Sequence, residues 1–307
     1  MKRIIKLLLA FTLAASVVTL YSCEKPDGTQ NVDPGNKDNP DNPDTPDNPD
    51  NPDTPDNPDE PGLYSFKTID FNKDDFATWV VWDEKIELKS GFSYILWVCP
   101  FDLEHQQRIG NFADVADDGQ TCINMLRFGE EHDGAHDMTE LQWWCGGSGR
   151  VKVWCPGFVT NNWQQLALVC DGTNLKMYLN GELKGEDALA SPIETSFGAI
   201  EFANSWGKSW RTKYNGTLCQ VSVYDSALSA EELAGSTLKG LNDALKAKAK
   251  AWWPMQEGEG VVCKDEIGNR DIDFSNTVRN DNDGATEHYT FDASELVSWT
   301  DQIVELD

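Results

Sequence analysis

Two groups of residues combine indole rings with planar or charged polar side chains, the mixture a sugar site needs. The stretch 204–215 carries Trp206 and Trp210 with Asn204, Lys208 and Arg211. Trp144 and Trp154, beside Gln142 and Lys152, form the second group. In such a site aromatic faces meet the apolar C–H side of a pyranose, while amide, ammonium and guanidinium groups take its hydroxyls. Each group also has a plainer reading as packing. Trp206 and Trp210 can tuck under their own loop as a satellite core. Trp144 can turn inward if its hairpin slips by one residue.

Catalytic and metal chemistry have thinner support, and no catalytic residue or metal ligand is assigned. Retaining glycoside hydrolysis needs two carboxyl groups about 5 Å apart. Asp271-Ile272-Asp273 has the alternation that places two on one strand face, and Glu257-Gly258-Glu259 lies at a turn. The four His form no Ser/His/Asp or Cys/His arrangement. Asp281-Asn282-Asp283-Gly284 and Glu130-Glu131-His132-Asp133 offer oxygen ligands without a full calcium-loop spacing, and Arg279 stands where a further carboxylate is wanted. Calcium is the one cofactor left open. Seven Cys follow Cys23, at 99, 122, 145, 155, 170, 219 and 263. An odd number leaves at least one free thiol or an intermolecular bond. Cys99, Cys170 and Cys219 alternate with apolar strand residues, where a free Cys acts as a small hydrophobe. No Cys-x-x-Cys spacing points to zinc or redox chemistry.

The chain opens with a basic start, Lys2, Arg3 and Lys6, and an apolar stretch over 7–18 too short to span a bilayer. Leu20-Tyr21-Ser22-Cys23 resembles a bacterial lipobox. That resemblance implies a signal peptide over 1–22, acylation at Cys23 and a membrane anchor that does not cross the bilayer. Glu24 and Asp27 resemble signals that export lipoproteins to the cell surface, so a surface-exposed place on the bacterial outer membrane is expected. Residues 23–62 read as acylated Cys and tether, with seven Asn/Thr-Pro-Asp triplets from Asn39 to Asp59. Proline at every third position favours an extended chain, on the order of 65 Å for those triplets.

What remains, 63–307, suits one large β-sandwich. It carries forty acidic and twenty basic residues out of the 52 and 25 of the whole chain, a formal charge of −20. That surface argues against nucleic acid and disfavours sulfated or uronic-acid-rich polysaccharide, leaving a neutral oligosaccharide or polysaccharide as the expected partner.

The elements that must position these residues are strands. Leu166–Cys170 and Leu175–Leu179 alternate on either side of Asp171-Gly172-Thr173-Asn174, a strong short-range hairpin signal, and Asn180-Gly181 supplies a second tight turn. Gly91–Val98 reads as a buried strand, Leu141–Cys145 and Val151–Cys155 as a hairpin around a glycine-rich turn, and Ala199–Ala203 as another strand. Gly216–Asp225 leads into Ala227-Leu228-Ser229-Ala230-Glu231-Glu232, where Ser229 and Glu232 form a capping box, with more helix expected over 237–250.

Together these runs resemble laminin G-like domains of the concanavalin A-like lectin/glucanase superfamily. The landmarks are the Trp163-to-Asn180-Gly181 hairpin, the Gly91-Phe92 start leading to Trp97 and Pro100, and the Gly216-led strand ending in Tyr224-Asp225. The resemblance implies an all-β jelly-roll sandwich with one or two short helices near 229–250. Trp97, Trp163, Trp252 and Trp253 match its core positions, and Tyr214 a structural aromatic. Trp252-Trp253-Pro254 with Asp265, Gly268 and Asn269 resembles the family's opening strand displaced to 252–274, as in a circular permutation. Glycosidases on this fold place Glu-x-Asp-x-x-Glu along one strand; 271–273 lacks the third acid and any Glu. Calcium is common in the superfamily, but Cys219 stands where relatives often carry Asp. The resulting expectation is a lectin-like accessory protein that is not an enzyme. A protein-binding adhesion module and a glycoside hydrolase remain as second and third readings.

Overall fold

The computed structural model describes residues 21–22, 63–71, 78–88, 91–103, 107–113, 124–129, 136–137, 139–145, 151–189, 195–202, 214–280, 286–290 and 297–305. In chain order the first elements are β1 (Tyr21–Ser22), β2 (Leu63–Asp70), β3 (Thr78–Leu88), β4 (Phe92–Pro100), β5 (Arg108–Ala113), β6 (Asn124–Phe128) and β7 (Leu141–Cys145). There follow β8 (Val151–Cys155), β9 (Asn162–Cys170), β10 (Asn174–Leu179), β11 (Glu182–Ala188), β12 (Thr195–Phe202) and β13 (Gly216–Tyr224). The rest are α1 (Ala230–Leu233), β14 (Ser236–Thr237), β15 (Gly240–Leu241), α2 (Asp243–Lys248), β16 (Ala249–Trp253), β17 (Val262–Cys263), β18 (Ile272–Asp273), β19 (Asn276–Asn280), β20 (Thr286–Thr290) and β21 (Trp299–Glu305).

Two antiparallel sheets enclose the main core. One runs β11-β10-β9-β4-β13-β2-β21, with β1 against β9 and β16 against β13; the other runs β3-β12-β5-β6-β7-β8. Such a jelly-roll sandwich is what the alternating apolar runs require. Leu166, Leu168 and Cys170 of β9 face the space between the sheets, while Ala167 and Val169 face outward. The outward side is not wet, because Leu228, Leu233, Leu241 and Leu245 of the helical segment cover it. Every residue of β4 and β13 is accordingly buried, as a sheet covered on both faces demands.

Local chemistry sets the turns. Asn180 and Gly181 both have positive φ, 52° and 76°, as a type I′ hairpin turn requires, and this is why Asn-Gly stands there. Asn180 Oδ1 accepts from Gln165 N at 2.9 Å, locking the hairpin to β9. Helix α1 carries the complete Ser229/Glu232 capping box. Only Asp243–Lys248 of the expected helix over 237–250 is helical. Gly240 at φ 129° turns the chain between β14 and β15, leaving no room for helix before Asn242 caps α2.

Strand β16 pairs with the second half of β13, Val221 opposite Trp253, while β2 pairs with its first half, Thr217 opposite Asp70. The two lie end to end along one side of β13, so 252–253 join the main sheet without pairing with 69–71. The rest of 252–274 departs from the sheet, and Val262–Cys263 pairs only with Ile272–Asp273. Trp253 is buried in the main core, stacked 5.5 Å from Trp82. Trp97 and Trp163 are also buried there. Trp252 differs: it is half-buried on the outer side against the helical cluster, its Nε1 donating to Gln220 Oε1 at 2.9 Å, because neighbouring strand residues point to opposite faces. Residues 276–307, without a landmark in the sequence, supply the β19–β20 hairpin and the edge strand β21.

Candidate functional site on the outer face of the smaller sheet

Core burial of Trp143 together with its partner Val153 settles which indole of β7 turns inward. Trp143 is fully buried, its Nε1 donating to Asn124 Oδ1 at 3.0 Å, and Asn124 Nδ2 reaches the Tyr94 hydroxyl at 3.4 Å. Leu141, Cys145, Val153 and Cys155 share that inner face. A slip of one residue would turn Gln142 and Trp144 toward the core in their place. Alternation therefore places Gln142 and Trp144 of β7, with Lys152 and Trp154 of β8, on the outer face.

There they form a two-by-two block. Gln142 stands opposite Trp154 and Trp144 opposite Lys152, so the indoles occupy diagonal corners. The next strands extend one row of the block, with Arg127 of β6 opposite Gln142 and Arg108 of β5 opposite Arg127. Both indoles are half-buried, whereas Arg108, Arg127 and Gln142 are buried. The Arg127 guanidinium lies 4.5 Å from the Trp144 ring centroid and the Lys152 ammonium 4.6 Å, both in cation–π contact. Arg127 Nε donates to Gln142 Oε1 at 2.9 Å. The His136 imidazole stacks on Trp154 at 4.1 Å and 7°, and its Nδ1 lies 2.7 Å from Glu140 Oε2. These contacts hold the indole planes and surround them with hydrogen-bond donors. The arrangement can stack a ring and take hydroxyl or carboxylate oxygens.

Of the residues predicted from sequence, Gln142, Trp144, Lys152 and Trp154 come together here. Asn204, Trp206, Lys208, Trp210 and Arg211 lie outside the described residues, as do Cys23 and both candidate calcium loops, 130–133 and 281–284. Among the described residues no group of three or more His, Cys, Asp or Glu is placed to hold a metal ion. Tyr214 is fully buried, its hydroxyl donating to Thr217 O at 3.2 Å. Cys99 is disulfide-bonded, its partner outside the described residues, and is not the free apolar Cys its strand position led one to expect. Cys145, Cys155, Cys170, Cys219 and Cys263 are buried and not in disulfides.

Three of the four carboxylates considered for catalysis, Asp271, Asp273 and Glu257, serve turns. Asp271 accepts from Asp265 N at 3.0 Å and pairs with Lys264. Partial burial opposes ionisation of Asp271, and the Lys264 ammonium outweighs it, holding the carboxyl below its ordinary range. Asp273 Oδ1 accepts from Ser275 N at 2.9 Å, and Glu257 Oε1 from Lys264 N at 2.9 Å. Asp265 ties its loop by accepting from the backbone of Trp252, Ile267, Gly268 and Arg270.

Arg108, Arg127 and His136 escaped the sequence reading. The alternation of Asn124-Met-Leu-Arg-Phe128 does place Arg127 opposite in direction to Leu126 and Phe128. Only the cross-strand register brings it to Gln142 and Trp144.

The sandwich and its landmarks define a class. The Laminin_G_3 family model, described as the concanavalin A-like lectin/glucanases superfamily, matches residues 74–234, over half of the chain, and the chain belongs to that family. Among solved structures it is similar to a Bacteroides ovatus protein provisionally described as carbohydrate-binding. The two share 19% identity at a TM-score of 0.52, over 74% of this chain and 60% of that one. A native heptameric SAP-like pentraxin from Limulus polyphemus matches at 12% identity and a TM-score of 0.45, over 78% of this chain and 94% of that one. Domains LG4-5 of the mouse laminin α1 chain match at 10% identity and a TM-score of 0.37, over 55% and 44%. At these identities the likeness is one of fold. No curated protein matches the chain.

Proposed function

We propose that this chain is a lipid-anchored, cell-surface glycan-binding accessory protein without catalysis. One observation carries the reading: Trp144 and Trp154 stand on the same outer sheet face, half-buried, held in place and flanked by Gln142, Lys152 and Arg127. The N-terminal lipobox-like run and the Pro-Asp tether support display at the surface. Among the described residues no helix is long and apolar enough to cross a membrane.

Two described carboxylates of this face stand too far apart for a glycosidase pair. Glu201 lies on β12 and Glu140 just before β7, three strand spacings apart, on the order of 14 Å. Glycosidase pairs stand about 5 to 9.5 Å apart. The adhesion alternative calls for a flat apolar patch, whereas cations border these indoles.

A glycan-array screen followed by calorimetry on Trp144→Ala/Trp154→Ala tests the reading. An aromatic contact contributes about 0.5–1.5 kcal/mol beyond buried area, so losing both weakens binding about ten- to a hundredfold. Wild-type affinity in a folded double variant would refute this site, and hydrolysis of a bound glycan would refute the non-catalytic role.

A further inference from the structure

Strand β21 ends the larger sheet. It pairs with β2 on one side, and among the described residues no strand hydrogen-bonds the other. Ile303 on that strand is 48% exposed. Two buried polar side chains lie close by without partners. Gln302 of β21 is 1% exposed, and neither its Oε1 nor its Nε2 has a hydrogen-bond partner. Trp163 of β9 is fully buried, and its Nε1 has none either. Phe66 joins the two: it stands opposite Gln302, and its ring lies 5.5 Å from that of Trp163. Buried amide and indole groups are ordinarily paired, so open atoms of both kinds around one ring call for a group that donates and accepts. Strand β1 lies at this place. Tyr21 pairs with Trp163 and Ser22 with Asn162, antiparallel to β9, and β1 comes within 8 Å of β21, Cα to Cα.

We propose that the place between β9 and β21, filled by Tyr21–Ser22 in the unprocessed chain, is a strand-addition site that takes an extended, uncharged peptide of a partner protein once processing removes those residues. The inference rests on the lipid-anchor reading, in which the mature chain begins at Cys23, and is independent of the glycan face. Every peptide unit carries one donor and one acceptor, which suits the Gln302 amide at both its atoms and the Trp163 N–H. Backbone pairing to a sheet edge supplies affinity in this mode of recognition, and side chains at alternate positions select the partner. The occupant here ends the run Val17-Val18-Thr19-Leu20-Tyr21-Ser22, which carries no charge. Ile303 offers an apolar neighbour to such a strand, and the acidic composition of 63–307 disfavours an acidic one.

The test uses the mature chain in detergent, its N-terminus established by mass spectrometry as acylated Cys23, and a fluorescent synthetic peptide of sequence 17–22 read by anisotropy. The peptide should bind saturably. The same peptide N-methylated at the positions of Tyr21 and Ser22, which loses backbone donors and keeps its side chains, should bind at least tenfold more weakly. The unlabelled change in the protein is Gln302→Met, which should weaken the parent peptide at least tenfold. The full unprocessed chain, made cell-free with its own residues 21–22 in place, should weaken it by at least as much. Gln302→Met should melt no lower than wild type, since it loses an unpaired buried amide; if it melts lower, the N-methylated peptide and the unprocessed chain decide. No binding, or equal binding of the N-methylated peptide, overturns strand addition and leaves the anchor standing. Unchanged binding to a stable Gln302→Met, or equal binding to the unprocessed chain, overturns the placement beside β21. A wild-type chain that retains residues 21–22 overturns the anchor and the open site together.

Discussion

Replacing Asp171 tests whether one carboxylate organises the hairpin that marks this fold. Its Oδ1 accepts from Thr173 N at 2.9 Å, Thr173 Oγ1 at 2.8 Å and Asn174 N at 2.8 Å, while Oδ2 meets Lys176 Nζ at 2.8 Å. Hydrogen bonds to a charged group contribute about 1.5–3 kcal/mol each when well shielded. The side chain is 27% exposed, so water replaces part of each, and a total of about 2–3 kcal/mol is expected for Asp171→Ala. In a domain of this size each kcal/mol moves Tm by about 2–4 °C, giving a loss of roughly 4–12 °C in a calorimetric melt. Asp171→Asn keeps the Oδ1 acceptor and should lose less than half of that.

The pH dependence gives a second handle on the same group. Partial burial works against ionisation of Asp171, but the Lys176 ammonium and the Thr173 and Asn174 amides outweigh it and hold the carboxyl well below its ordinary 3.8. The unfolded chain therefore takes up this proton first. The stabilisation is fully present above that ordinary value and declines as pH falls toward the lower, folded one. Asp171→Asn should lose this contribution to the slope below about pH 4. An Asp171→Ala variant melting within a degree of wild type, with the acid slope intact, would refute the reasoning.

Cys23→Ala, expressed in a host that processes lipoproteins, should move the chain out of the membrane fraction; unchanged membrane association in fractionation would overturn the anchor. Trp206→Ala/Trp210→Ala should weaken a confirmed glycan ten- to a hundredfold by calorimetry if that loop adds a second contact, and unfolding of the double variant would show its indoles to be core. Cys145, Cys155, Cys170, Cys219 and Cys263, which are not in disulfides, should resist alkylation at pH 8 in the native protein and react once it is denatured. Burial pushes the Cys155 thiol up to about 12, and those of Cys219 and Cys263 well above their ordinary value. Mass mapping of rapid native labelling at any of the five would contradict that burial.

The hairpin of β9 and β10, the buried strand β4 and the capping box of α1 were legible because each depends on neighbours in sequence. Alternation, an Asn-Gly pair and a Ser-x-x-Glu spacing act within a few residues, whatever surrounds them. The helix expected over 237–250 was overextended because Gly240 at positive φ and the β14–β15 pair interrupt a composition that favours helix. Trp252 and Trp253 are neighbours with the same side chain, and the family resemblance assigned both to the core. Pairing of β16 with β13 sent one inward and the other out against the helical segment.

The candidate site shows the same division more sharply. Sequence alone determined that Gln142 and Trp144 share a face opposite to Trp143, since side chains alternate along any strand. It could not determine which face looks inward, because a glycine-rich turn leaves the register free to slip by one. The tertiary structure decided that by matching Trp143 to Val153 and Asn124 to the Tyr94 hydroxyl inside the core. It also decided which distant residues join the block. Arg127 and His136 reach Trp144 and Trp154, and Arg108 comes opposite Arg127, only through cross-strand register and chain return, and residues so far apart in sequence are brought together by packing of the whole sandwich.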